Sequence, residues 1–145
     1  LAFEAVTPEQ LGAQADVIIT ITSAFEPLLH AGWIKPGTHL ACMGTDTKGK
    51  QEVDTALLAR ATVFTDEIAQ SVCIGEAQHA IAQGLLAESA ITPIGKVLTG
   101  AHPGRTSAEE ITLFDGTGVG LQDLAVAKVA AERAVSLGKA TRAAL

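Results

Sequence analysis

Residues 38–66 read THLACMGTDTKGKQEVDTALLARATVFTD, and this stretch determines the fold. Two short apolar runs, 38–43 and 62–66, flank a loop rich in glycine and charge and a segment rich in alanine and leucine. Short apolar runs bounded by turn residues are typical of buried strands, and alanine and leucine favour helix. The stretch therefore predicts a strand, a loop, a helix and a second strand, which is the repeating unit of a parallel sheet.

The same alternation extends towards the N-terminus. The β-rich runs LAFEAV (1–6) and DVIITI (16–21) are separated by TPEQLGAQA, whose Thr7, Pro8 and Glu9 are typical of a helix start. The strands are apolar on both faces, so we expect helices on both sides of the sheet. The predicted fold class is α/β, a partial Rossmann-like, doubly wound parallel sheet.

Beyond Asp66 the pattern becomes mostly helical. GEAQHAIAQGLL (75–86) predicts an amphipathic helix, and ITPIGKVLTG (91–100) predicts a second short segment. From Thr117 a long alanine-rich helix is expected to run to the vicinity of Gly138, because glycine suits a C-terminal cap.

Composition excludes several classes of protein. The 145 residues fit one domain, and 48% hydrophobic with 18% charged residues is ordinary for a globular protein. A net charge of −6, without a basic stripe, argues against a nucleic-acid partner. No apolar run approaches the ~20 residues of a spanning helix, and the N-terminus lacks the features of a signal peptide. We expect a soluble, cytoplasmic protein with no membrane partner.

Cysteine and histidine spacing does not indicate a metal site. Cys42 and Cys73 form no C-x-x-C pair and have no closely spaced histidine, so we expect both to be buried, inert thiols. Four histidines share no metal-ligand spacing: His30, His39, His79 and His102.

The best candidate for chemistry is the exit of the strand at 38–43. Ligands of open α/β sheets bind beyond the carboxyl ends of the strands. Asp46, held between Gly44 and Gly49, can approach a substrate closely and exchange protons with it. The alternative is a turn aspartate that bonds to its own backbone.

Residues 42–53, CMGTDTKGKQEV, together with residues 102–123, HPGRTSAEEITLFDGTGVGLQD, resemble the ornithine cyclodeaminase and μ-crystallin family. The resemblance runs from DVIITIT onward. It implies that residues 1–145 are a partial NAD(P)-binding Rossmann-like domain, with a dimerisation region and a glycine-rich dinucleotide loop upstream. It also implies that residues 117–145 return towards the dimerisation region of a homodimer.

The resemblance also implies roles for individual residues. Asp46 matches the family's catalytic acid/base, which contacts the amino acid substrate, and Lys50 matches a lysine that contacts the cofactor. Thr22 matches a cofactor contact, and the segment ending at Met43 adds contacts on the nicotinamide side. Thr45 departs from the glycine or alanine common at its position.

Two of these matches have ordinary alternatives. The alternative for Lys50 is a solvated loop lysine, and from the residues alone Thr22 is equally an ordinary strand-to-loop hydroxyl.

The resemblance places Gly116 and Thr117 beside the nicotinamide and the substrate, where the family usually has serine and a variable residue. The run FDGTGVG (114–120) lacks the G-x-G-x-x-G spacing and leads into one long helix, so we reject it as the dinucleotide loop. Asp115 is expected to cap the following helix.

The segment that begins at His102 has two interpretations. Arg105 and Thr106 are candidates for orienting the neighbouring loop, while Ser107 with Glu110 predicts a helix capping box.

The predicted function is that of an NAD-dependent ornithine cyclodeaminase, with NADP as the other possible cofactor. By resemblance, it converts ornithine to proline and ammonia through an imine, with Asp46 moving protons. One alternative is an NAD(P)H-dependent reductase of cyclic ketimines such as pyrroline carboxylate. Another is a non-catalytic, nucleotide-binding protein like μ-crystallin. The expected substrate is therefore a small amino acid or cyclic imino acid.

Overall fold

The computed structural model describes residues 2–141 and residue 143. Strands and helices alternate through most of this part of the chain. The strands are β1 (Val17–Thr20), β2 (His39–Cys42), β3 (Thr62–Thr65), β4 (Thr92–Pro93) and β5 (Thr112–Asp115). The α-helices are α1 (Pro8–Gln14), α2 (Thr55–Arg60), α3 (Ile68–Cys73), α4 (Gln78–Ala82), α5 (Ile94–Leu98) and α6 (Gly120–Ser136).

The strands form one parallel sheet in the order β1-β2-β5-β3-β4. β5 comes last in the sequence but lies between β2 and β3. Cys42 pairs with Thr20 on one side and with Asp115 on the other, so three strands end at the same level. The predicted α/β, Rossmann-like parallel sheet is confirmed, and its carboxyl ends form one edge.

One face of the sheet carries the hydrophobic core. Alternate residues of four strands point into it and are at most 2% exposed: Ile18, Leu40, Val63 and Leu113. Leu57 and Leu58 of α2 pack against them and are similarly buried. Fully burying one such side chain contributes about 1.5–3 kcal/mol, so this face supplies most of the stability.

The opposite face is covered unevenly. Val17 and Ile19 of β1 are 60% and 68% exposed, whereas Phe64 of β3 is buried beside the His102 ring. Within the described residues, the expected helical cover of both faces is therefore present only in part. The apolar character of β1 on both sides had suggested full cover.

The N-terminal prediction is half right. Residues 2–6 form no strand, and Phe3 is 97% exposed; Leu1, the first residue of the predicted strand, lies outside the described residues. Helix α1 begins as predicted: the Thr7 hydroxyl accepts from the Gln10 N–H while the Gln10 side chain accepts from the Thr7 N–H.

Two further elements differ from the sequence pattern. The helix predicted over 75–86 is reduced to α4, because Gly75–Ala77 turn towards the strand ends and Gly84 adopts a positive φ of 70°. Residues 91–100 contribute the short strand β4 as well as helix α5.

The predicted long C-terminal helix is present as α6, followed by Gly138 at φ 64°. None of its described residues is buried. None of the described helices is both long and apolar enough to cross a bilayer.

Candidate functional site

The predicted site residues meet where the strands end. Thr22 follows β1, Met43 and Asp46 follow β2, and Gly116 and Thr117 follow β5. A cleft of about 400 Å³ opens at this edge. Its lining comprises Met43, Asp46, Gln70, Ile74, Gly116, Thr117, Gly118 and Gln122. Thr22 and Lys50 lie outside this lining and contact residues that support it.

Asp46 forms an ion pair with Lys50. The Lys50 Nζ lies 2.7 Å from Asp46 Oδ1 and donates a second hydrogen bond to the Gly44 carbonyl at 3.3 Å. The Asp46 side chain is 62% exposed, whereas that of Lys50 is 15% exposed. Hydrogen bonds from Lys50 and then from Thr47 lower the pKa of Asp46 below its ordinary value. Asp46 therefore presents a carboxylate to the cleft at neutral pH.

Thr22 is held by Glu52, a residue that the sequence did not single out. Glu52 Oε1 accepts from the Thr22 N–H at 2.6 Å and from its hydroxyl at 2.8 Å. Oε2 accepts from the Thr20 hydroxyl at 2.7 Å and from the Gly44 N–H at 3.0 Å. Glu52 is fully buried, and its four bonds join the ends of β1 and β2. The Thr22 hydroxyl proton is thus directed into the protein.

Gly116 lies directly against Met43. A Cβ atom at residue 116 would be 2.5 Å from the Met43 Sδ and 2.6 Å from its Cε. The Gly116 N–H donates to the Cys42 carbonyl at 2.9 Å, which fixes this close approach. Met43 remains 41% exposed. Its side chain forms an apolar wall of the cleft, next to the bare backbone of Gly116.

Thr117 is anchored to Asp66 at the end of β3. Asp66 accepts from the Thr117 N–H at 3.0 Å, from its hydroxyl at 2.7 Å and from the Gly118 N–H at 3.1 Å. Burial raises the pKa of Asp66, but the hydrogen bonds from Thr117, Gly118 and Glu67 outweigh this and lower it. Asp66 therefore holds the turn after β5 as a carboxylate.

Two buried acids lie behind the cleft. Burial raises the pKa of Glu76 to about 7 and the pKa of Asp115 to about 6. The Ser71 hydroxyl donates to Asp115 Oδ2 at 2.5 Å, while Asp115 Oδ1 has no partner among the described residues. The prediction that Asp115 caps the following helix is wrong: it is buried, and α6 begins after Val119 without a side-chain cap.

The segment that begins at His102 lies at the end of the sheet opposite the cleft, where the strands begin. Arg105 donates to the Glu110 carbonyl and to the Thr112 hydroxyl at the start of β5. Glu110 accepts from the Thr106 N–H at 2.5 Å, but a strand follows rather than a helix. The capping box is therefore wrong, because these side chains close a turn, and Arg105 orients its own loop.

The two cysteines differ. Cys42 is fully buried as predicted, but Cys73 is exposed because it ends α3 on the outer surface. The described residues contain no group of three or more histidine, cysteine, aspartate or glutamate side chains arranged for a metal ion.

The lining of the cleft is mixed. Met43 and Ile74 contribute apolar side chains, whereas Asp46 and Thr117 contribute polar ones. A Cβ at residue 116 would collide with Met43, so Gly116 contributes backbone alone. Clefts that combine apolar walls with convergent polar groups are typical of ligand-binding sites.

Comparison with known proteins identifies relatives of this chain. The chain is 61% identical over 140 residues to the iminosuccinate reductase of Paracoccus denitrificans, covering 97% of this chain and 43% of the relative. The structure of that reductase in complex with NAD⁺ superimposes with a TM-score of 0.94 at 59% identity, over 99% of this chain and 44% of that one.

Two further relatives match a similarly large share of this chain. The alanine dehydrogenase of Archaeoglobus fulgidus is 40% identical over 132 residues, which cover 90% of this chain and 41% of the relative. The Δ¹-pyrroline-2-carboxylate reductase of Thermococcus litoralis, in complex with NADH and L-proline, has a TM-score of 0.88 at 26% identity, covering 93% and 42% of the two chains. The chain thus spans less than half the length of these relatives.

The expectation of NAD is confirmed, since these solved relatives hold NAD⁺ or NADH. The profile of the "Ornithine cyclodeaminase/mu-crystallin family" matches residues 3–138, which is nearly the whole chain. The motifs at 42–53 and 102–123 lie inside that match. The chain belongs to the ornithine cyclodeaminase/mu-crystallin family.

Proposed function

We propose that this chain forms the nicotinamide and substrate side of an NAD(H)-dependent imino acid reductase. Such an enzyme reduces the C=N bond of a small imino acid to an amine. The observation that carries the proposal is the ionised Asp46, paired with Lys50, on a cleft whose floor is Gly116. The 61% identity to an iminosuccinate reductase supports the reductase alternative more than the cyclodeaminase reaction expected from the sequence.

The proposed cofactor is NAD(H), and NADH, when bound, supplies the hydride. Gly116 and Met43 would receive the nicotinamide ring, and Thr117 would line the adjoining substrate pocket. Lys50 and Thr22 would act indirectly, through other residues. Lys50 orients Asp46, and Thr22 fixes the strand ends through Glu52.

The charge of Asp46 suits reduction of an imine. A protonated C=N group accepts hydride more readily than a neutral one, and it carries a positive charge. A carboxylate beside it stabilises that charge, and preorganised electrostatic stabilisation is usually the largest catalytic effect. Because Lys50 keeps the pKa of Asp46 low, Asp46 is a weak base in this state and acts as the anionic partner of that charge.

The substrate class follows from the relatives and from the small cleft. We propose a small imino acid, with iminosuccinate as the first candidate and pyrroline-2-carboxylate as the second. Both combine a C=N bond with a carboxylate. The cyclodeaminase reaction and a purely binding role remain the alternatives that an assay must separate.

The assay uses the full-length parent protein. NADH oxidation is followed with imine formed from oxaloacetate and ammonia, and separately with pyrroline-2-carboxylate. Ammonia release from ornithine is measured with NAD⁺. We expect imine reduction, and a loss of kcat of roughly 10²–10³-fold in Asp46→Asn, the usual contribution of one preorganised electrostatic group.

Asp123→Asn is the matched control, because Asp123 is an exposed aspartate on α6. Equal kcat in Asp46→Asn and Asp123→Asn would reject the role of Asp46. Ammonia release from ornithine without imine reduction would favour a cyclodeaminase. Tight NADH binding without any turnover would favour a binding protein.

A further inference from the structure

The loop that carries Asp46 and Lys50 is fastened by one short segment of another part of the chain. We call residues 43–53 the site loop and residues 76–79 the clamp segment. The clamp segment comprises the two residues before α4 and the first two residues of that helix, and it follows the site loop by more than twenty residues in sequence.

Glu76 makes the central contacts of the clamp segment. Its Oε2 accepts from the Thr45 hydroxyl at 2.5 Å, and its Oε1 accepts from the N–H groups of Glu52 at 2.9 Å and Val53 at 2.8 Å. Thr45 is the residue immediately before Asp46, and all four of these residues are fully buried. One carboxyl group therefore fixes both ends of the site loop.

Gln78 and His79 hold the middle of the loop. Gln78 Oε1 accepts from the Gly49 N–H at 2.8 Å, and its Nε2 donates to the Lys50 carbonyl at 3.3 Å. His79 Nε2 lies 3.2 Å from the same carbonyl. The side chain of Asp46, in contrast, accepts hydrogen bonds from Lys50 and Thr47 of its own loop and from no other described residue. The position of Asp46 is consequently set by the backbone that the clamp segment holds.

The contacts of Glu76 are made for a carboxylate. Thr45, Glu52 and Val53 all donate to it, and a neutral carboxylic acid would present one donor of its own in place of an acceptor. The other ionisable groups that bear on this buried region are Asp115 of β5, Cys42 of β2 and Glu52 of the site loop. None of these supplies a positive charge, and burial together with the negative charge of Asp115 favours protonation of Glu76.

We propose that Glu76 is a positioning residue for the reaction: as a carboxylate it holds Thr45, and through Thr45 it places Asp46 against the substrate. When Glu76 takes up a proton, Thr45 is released and the site loop loosens. This inference rests on the proposed catalytic role of Asp46. It assigns to the loop a pH dependence that Asp46, with its lowered pKa, does not produce.

The test uses the full-length protein with NADH and an imino acid substrate. Thr45→Val removes the hydroxyl with almost no change in shape, and Thr45→Ser keeps it. We expect Thr45→Val to lower kcat by about tenfold or more, since small misplacements of a reacting group are costly, while the KM for NADH changes little. Thr45→Ser should restore most of the activity. Thr38→Val, another buried threonine at the opposite end of the sheet, is the control for the cost of burying a methyl group.

The pH profile separates positioning from a merely structural role. The wild-type kcat should fall as the pH drops through about 7, and Glu76→Gln should remove this fall because glutamine does not titrate. His79→Asn should retain it. A fall in kcat that persists unchanged in Glu76→Gln would overturn the proposal, as would a Thr45→Val variant with wild-type kcat.

Amide hydrogen exchange gives a readout that does not need activity. Protection within the site loop should decrease about tenfold in Glu76→Gln and Thr45→Val, the equivalent of one hydrogen bond to a charged group, and stay constant in β2 and β5. Unchanged protection would overturn the inference. The expected loss of protection in a protein without any imine reduction would reject the proposed function but retain Glu76 as the holder of the loop.

Discussion

The Nζ of Lys50 lies 2.7 Å from Oδ1 of Asp46, and both residues belong to the loop after β2. The exposed Asp46 is held by a lysine that is itself mostly covered. An anion that faces a cleft is thus kept ionised by a cation that lies beneath it. In the proposed function, this carboxylate would attract a positively charged substrate group.

The first prediction concerns the charge of Asp46. Removing the ammonium group with Lys50→Met should raise the pKa of Asp46 towards 3.8, its ordinary value, because the strongest hydrogen bond that lowers it is lost. The carboxyl carbon of Asp46, followed by NMR through an acid titration, reports this change. Lys48→Met is the control, since Lys48 is exposed in the same loop. An identical titration in wild type and Lys50→Met would contradict the prediction.

The second prediction concerns stability and pH. Burial raises the pKa of Glu76 to about 7 in the folded chain, above its ordinary 4.5, so the folded chain binds the Glu76 proton more tightly than the unfolded chain does. The resulting stabilisation of the folded chain is complete below pH 4.5 and is lost as the pH rises through 7. The loss amounts to about 3 kcal/mol of unfolding free energy. Urea denaturation at pH 5 and pH 8 should therefore show a smaller decrease in Glu76→Gln than in wild type.

Glu132→Gln, on the exposed surface of α6, should leave that pH dependence unchanged. Asp115, whose pKa is about 6, should retain its own share of the decrease in both proteins. Parallel curves for Glu76→Gln and wild type would show that Glu76 does not titrate in this range.

The third prediction compares two glycines of the site. A Cβ at residue 44 would be 2.4 Å from the backbone N and O of Thr22, which cannot move without separating β1 from β2. A Cβ at residue 116 would meet side-chain atoms instead, the flexible end of Met43 at 2.5 Å and the Phe114 ring at 3.2 Å. Gly44→Ala should therefore destabilise the chain strongly, whereas Gly116→Ala should be tolerated in folding and weaken NADH binding.

Thermal unfolding and NADH titration of the two variants check this expectation. Equal melting temperatures for Gly44→Ala and wild type would show that the strand ends can separate. Unchanged NADH affinity in Gly116→Ala would remove Gly116 from the cofactor site.

The fourth prediction concerns the core. Leu113 is fully buried at the centre of β5, so Leu113→Ala should cost about 2–5 kcal/mol through lost burial and a residual cavity. Leu98→Ala is the matched control, because Leu98 is 81% exposed at the end of α5 and its truncation should cost less than about 0.5 kcal/mol. Denaturant midpoints measure both. Similar costs at the two positions would mean that β5 is not central to the core.

The sheet could be predicted because its signals are local. DVIITI, THLACM and TVFTD are short apolar runs between turn residues, and each contains a strand of the structure. LAFEAV has a similar composition, but its described residues 2–6 form no strand, since strand formation depends on a neighbour as well as on the run itself. The order of the strands could not be predicted, because it depends on contacts between distant parts of the chain.

The sequence predicted residues that line the candidate cleft, but it did not predict the buried residues that hold them in place. Asp46, Gly116 and Thr117 line one cleft because they follow adjacent parallel strands. Glu52 and Glu76 were missed, since an acid in a polar loop or in an alanine-rich segment carries no local sign of burial. Their roles depend on donors more than twenty residues away, such as Thr22 for Glu52 and Thr45 for Glu76.

The position of β5 has a consequence for how this unit is made on the ribosome. β2 and β3 do not pair with each other, and each pairs with β5. Until residues 112–115 have been synthesised, the chain holds two separate parallel pairs, β1 with β2 and β3 with β4. Two-stranded pieces are marginal in water, and non-local pairing is slow. Within the sheet, the two strand pairs can therefore be joined only after the late tetrapeptide Thr112–Asp115 has been synthesised.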